Sequence, residues 1–141
     1  MLFRGVRTPF ARGAVRDFAA TLESDVTKGR GFRCLITDDA ELLRLNQLFR
    51  RKSYPADVLS FPSADEKDFL GEVAISLDRA KEQAREHGHT ALDEVQVLML
   101  HGVLHLMGMD HEQDGGRMER AEMRWRSRLG LPKSLIERAR Q

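Results

Sequence analysis

The most apolar run in the chain leads straight into HGVLHLMGMDH, residues 101–111. Just ahead of that run, Thr90 and Asp93 are spaced as a capping box. They predict a helix running to about Met107 with Leu92, Val95, Leu98, Met99 and Leu106 buried. A helix that is apolar around most of its circumference needs cover on most sides. It is therefore predicted to lie at the centre of the fold, and the rest of the chain must be built to cover it.

His101 and His105 are four residues apart, so both rings project from one helix face, one turn above the other. Gly108 follows three residues later, where it can end the helix in a left-handed conformation. A turn there brings His111 back toward the other two. Three imidazoles converging on one point hold zinc, or a similar metal, and leave a coordination position open. The open position points to chemistry and not only to structure. A lone histidine on an apolar helix is ordinarily a packed residue, but here two ligand spacings and a helix stop coincide within eleven residues. The spacing matches the His-Glu-x-x-His-x-x-Gly-x-x-His zinc signature of metzincin proteases. Gly102, however, stands where that signature has the glutamate that acts as general base. The ligand pattern fits, and peptide hydrolysis by the usual route does not.

Around this helix the chain alternates helix, strand, helix, two strands and then helices. Thr8-Pro9 predicts the start of a helix to about Lys28, with Phe10, Val15, Phe18, Leu22 and Val26 roughly in helical register. Phe32 to Thr37 reads as a buried strand that contains Cys34. Thr37-Asp38-Asp39 caps a second helix whose apolar face is Leu42, Leu45, Leu48 and Phe49. That helix ends in Arg50-Arg51-Lys52, and cations there suit the helix dipole without any further role. Tyr54-Pro55 forces an extended turn. Val58 to Phe61 is a strand stopped by Pro62, and Asp65 to Asp68 a solvated loop. Leu70 to Ser76 is another strand, in which Glu72 points to solvent or faces a site. Ser76 and Asp78 open a helix to about His87, and Gly88 ends it, which leaves His87 and His89 as loop or capping residues. After Gly115-Gly116 a helix from about Arg117 to Leu129 turns Met118, Ala121 and Trp125 inward and its arginines outward. Met118 and Met123 read as core filler, and a last short helix carries Leu135 and Ile136. The pattern predicts one α+β domain over residues 1–141. Its small mixed β-sheet of about four strands carries helices packed on it.

The net charge of +1 hides an uneven distribution, with +4 over residues 1–33 and −5 over residues 63–97. The total announces no acidic partner, although local basic faces could still meet one. No apolar run approaches the ~18–20 residues that span a bilayer. The arginine-rich start, MLFRGVRTPFARG, lacks the apolar core of a signal peptide, and a transit peptide fits poorly with an apolar pattern that continues into the domain. With Cys34 as the single cysteine there is no intrachain disulfide framework. These features suggest a cytoplasmic protein that avoids membranes.

HGVLHLMGMDH resembles the His-Gly-x-Leu-His-Leu-x-Gly-x-Asp-His motif of the YbeY family, bacterial endoribonucleases and rRNA maturation factors. Two further blocks support the resemblance. Leu45–Arg50 followed by Pro55–Pro62 is similar to the family's Leu-Asn-x-x-Tyr/Phe-Arg and Pro-Thr-Asp-Val-Leu-Ser-Phe-Pro stretch. More weakly, Leu70–Ser76 is similar to its Gly-Asp-Ile block. The likeness covers about residues 33–125 and departs at Ala56, where threonine is usual, and at Glu72, where aspartate is usual.

The resemblance implies a metalloprotease-like fold with a central metal-carrying helix. It implies zinc, one per chain, held by His101, His105 and His111. The activity implied is cleavage of single-stranded RNA in rRNA processing, including the 16S 3′ end, in association with the small ribosomal subunit. Arg50 matches the family's functional arginine, and its fork suits phosphoryl charge better than a lysine does. Arg51 and Lys52 either steer phosphate or are simply solvated; Asp110 either orients an imidazole or caps the turn. Two other readings stay open. One is a non-enzymatic ribosome-assembly factor whose metal is structural, closed by a fourth ligand such as His89 or a carboxylate. The other is a minimal metalloprotease.

Overall fold

The computed structural model describes residues 1–6, 10–51, 56–64, 66–110 and 115–133. Thr8-Pro9, Lys52, the Tyr54-Pro55 turn, Asp65, His111 and the Leu135–Ile136 segment lie outside the described residues. In chain order the elements are β1 (Leu2–Phe3), α1 (Arg12–Thr21), β2 (Gly31–Thr37), α2 (Asp39–Arg50), β3 (Val58–Pro62), β4 (Phe69–Ser76), α3 (Leu77–His87), α4 (Ala91–Leu106) and α5 (Arg117–Leu129). The sheet is mixed, as expected, with strand order β1-β2-β4-β3. β1 and β4 run parallel to β2, while β3 pairs antiparallel with β4 and forms one edge.

Alternation along β4 divides the core. Val73 and Ile75 point to one face, where they meet Cys34, Ile36 and the buried faces of α1, α4 and α5. Ala74 points to the other, joining Leu42 and Leu45 of α2 with Leu59. So α2 and α4 pack on opposite faces of the sheet. The main core is the α4 side. Ten of the sixteen α4 residues are buried, and each fully buried Leu, Val or Met there contributes roughly 1.5–3 kcal/mol. Its N-terminus carries the expected capping box, with Thr90 Oγ1 accepting from Asp93 N–H at 3.0 Å and the Asp93 carboxylate reaching back to Thr90 N–H.

Three sequence expectations are corrected, and one strand is added. The first helix opens at Arg12, because Ala11 (φ −69°, ψ 66°) sits in an inverse γ-turn closed by Arg12 N–H on Phe10 C=O. It then widens into a π-turn over Leu22–Val26, which keeps Leu22 and Val26 both buried. The face of α2 turns toward Leu42, Leu45 and the buried Asn46, so the last turn overhangs the sheet. Leu48 and Phe49 are left 61% and 62% exposed. Met123 is also exposed, whereas Met118 is buried. Finally, the N-terminal Leu2–Phe3 adds a parallel strand that no periodicity announced.

α4 lies close against the sheet at Gly102. A Cβ there would stand 2.7 Å from Val73 Cγ1 and 3.3 Å from Ser60 Oγ. Nothing lies within 4 Å of the equivalent point at Gly13 in α1. Gly102→Ala should therefore destabilise the fold by about 1–3 kcal/mol through overpacking. Gly13→Ala should stabilise it by about 0.5–1 kcal/mol. Urea midpoints shifting in opposite directions would bear this out; a Gly102→Ala protein as stable as the parent would show that the helix does not sit so close.

Candidate functional site

The last turns of α4 carry His101 and His105, half-buried, with ring centroids 4.7 Å apart and planes at 78°. Their i, i+4 spacing puts them side by side, as the sequence required. The helix stops where expected. Gly108 adopts φ +91° and its N–H donates to His105 C=O at 2.9 Å, while Met109 N–H returns to Leu104 C=O at 3.2 Å. Met109 is buried, and the half-buried Asp110 follows it on the exit of the turn. His111 comes next and lies outside the described residues. Among the described residues, no three His, Cys, Asp or Glu side chains gather closely enough to hold a metal.

The two rings nevertheless suit a metal, on one observation. His101 Nδ1 is hydrogen-bonded to Glu122 Oε2 of α5. A ring engaged through Nδ1 would bind a metal through Nε2. Glu122 is 1% exposed and was not singled out in the sequence. It lies on a helix with five arginines, a pattern that reads as a solvated face. Its only sequence signal is its place one residue after Ala121 and four after Met118, on the face that turns inward.

The Asn46–Pro62 block supplies structural pins. Ser60 Oγ donates to Gly102 C=O at 2.9 Å, tying the edge strand β3 to α4 beside His101. The Asp57 carboxylate accepts from Gln83 Nε2 at 3.1 Å and from Val58 N–H at 2.9 Å. Arg50 is the exposed last residue of α2, and Arg51 caps that helix in the left-handed region at φ +55°, its N–H on Asn46 C=O. α2 packs on β4, β3 and α3. Both arginines thus belong to the layer across the sheet from the histidines. Glu72 is exposed and pairs with Arg33 on β2 at 3.4 Å. Burial pushes the Cys34 thiol up to about 12, as befits a packed strand residue.

His89 is engaged elsewhere. Its Nε2 lies 2.6 Å from Oε1 of the fully buried Glu94 in the first turn of α4. Glu94 precedes His101 by seven residues, roughly 10 Å along the helix. His89→Ala should cost about 1–3 kcal/mol by removing a partner of a buried carboxyl group, with no change in the metal content of purified protein. Loss of metal in that variant would make His89 a ligand.

A family model described as Endoribonuclease YbeY matches residues 11–130. An Endoribonuclease YbeY from Solibacter usitatus is 56% identical over 136 residues, covering 96% of this chain and 91% of its own length. One from Koribacter versatilis is 52% identical over 104 residues, covering 74% and 68% respectively. The solution structure of TM1509 from Thermotoga maritima superposes with a TM-score of 0.60 at 29% identity, covering 91% of this chain and 93% of that one.

Proposed function

The chain belongs to the YbeY endoribonuclease family, and from that premise we propose that it cuts single-stranded RNA at a zinc site formed by His101, His105 and His111. The family match over residues 11–130 carries this reading, and the paired rings at the end of α4 support it. The proposed substrate is precursor rRNA, including the 16S 3′ end, met on the small ribosomal subunit. No helix among the described residues is long and apolar enough to cross a membrane.

When bound, zinc supplies a Lewis acid and makes a water acidic enough to attack near neutral pH. The chain's own groups do the rest. The histidines hold the ion in a fixed place. The Arg50 guanidinium meets the charge that builds on the phosphoryl oxygens, as a fork that binds two of them at once. Arg51 and Lys52 are the candidates to steer the phosphate backbone, and Asp110 is the candidate to orient a ligand imidazole or cap the turn. A protease reading is disfavoured by the crowding at Gly102: the position faces Val73 and Ser60, with no room for a glutamate.

Purified protein should contain about one zinc per chain, and His105→Ala should lose it together with RNA cleavage. A chelated protein that keeps its circular dichroism and stops cutting until zinc returns would separate a catalytic ion from a structural one. Unchanged metal content in His105→Ala would sink the site.

Arg50→Ala should keep its zinc and its fold while the cleavage rate falls by about 10²–10³-fold. Full activity would remove Arg50 from the reaction.

A further inference from the structure

We propose that Glu122 is the positioning residue of the site: it fixes the tautomer and ring orientation of His101 so that Nε2 faces the metal. The inference rests on the reading that the α4 histidines hold a metal, and it adds a residue that this reading does not supply. Glu122 belongs to α5, which packs against α4, and lies 21 residues beyond His101. It is a carboxyl group at 1% exposure between the core residues Met118 and Ala121 and the partly buried Trp125.

Such a group is costly to bury unless it has a specific partner. Its Oε2 has one, Nδ1 of His101. Its Oε1 is buried with no hydrogen-bond partner. A carboxylic side chain kept in apolar packing with one oxygen unpaired gains little for packing alone. What it does for His101 is specific. A carboxylate only accepts, so the proton of the ring sits on Nδ1 and the lone pair on Nε2. Metal-ligating histidines are ordinarily held this way through the nitrogen that does not bind.

The second buried His–Glu pair of the fold makes the contrast. His89 meets Glu94 through Nε2, across five residues of its own loop. That pairing closes the entry to α4 and spends the outer nitrogen. The His101–Glu122 pairing joins two helices and spends the inner one.

Two readouts test the proposal. In zinc-free wild-type protein at about pH 8, where an ordinary imidazole is neutral, long-range ¹⁵N–¹H NMR should show His101 as the Nδ1–H tautomer. Glu122→Gln should lose that preference. In chelator competition, its zinc dissociation constant should rise by about 10–100-fold. The melting temperature of the zinc-free variant should stay close to that of wild type. An Nε2–H tautomer in the wild type overturns the proposal without any variant having to fold. Equal zinc affinity in Glu122→Gln overturns it too. Wild-type protein that takes up no zinc overturns the metal reading itself, a distinct result.

Discussion

The tight contact of α4 with the sheet at Gly102 is the one on which the rest of the structure depends. A helix with ten buried residues cannot stand off from its cover. The missing side chain lets the Gly102 backbone settle against Val73 and bring its carbonyl within 2.9 Å of Ser60 Oγ. That hydrogen bond fastens the edge strand β3 to the helix one residue beyond His101. One absent side chain therefore has two effects. It seats the central helix, and it removes the group that a metzincin would use as its base. The chemistry left to the site follows from a packing requirement.

The position of the histidines along α4 is fixed from both ends. The Thr90–Asp93 capping box sets the first turn, and Gly108 at φ +91° sets the last. Between those stops the 3.6-residue period decides which side chains face the sheet and which face α5. Val103 and Leu104 go into the core, while His101 and His105 take the side toward α5 and the turn.

Much of this was legible in the residues. The capping box, Gly108, the strand at Leu70–Ser76 and the helix from Arg117 to Leu129 each depend on local chemistry, and local chemistry is written in sequence. What escaped was set by tertiary position. Leu48 and Phe49 continue the apolar period of α2, but the helix overhangs its sheet, so the period outlasts the surface it could cover. Leu2–Phe3 is too short to show alternation and becomes a strand only because β2 has an edge to offer. Glu122 escaped for the opposite reason. Its residue type reads as solvated, and only the arrangement of α5 against α4 reveals that it is buried against a ring.

The resemblance in the Asn46–Pro62 block pointed to chemistry, yet three of its polar residues serve construction. Asn46 is buried in the packed face of α2. Asp57 ties the start of β3 to α3, and Ser60 ties β3 to α4. These anchors fix the edge strand. α2 lies on one face of the sheet, and β3 is fastened to the histidine helix on the other face. β3 packs against both helix layers, with α2 on one face and α4 on the other, and Ser60 Oγ fixes the α4 side. As the edge of the four-stranded sheet it is hydrogen-bonded to β4 alone, so these polar anchors supply the hold that a second neighbouring strand would otherwise give.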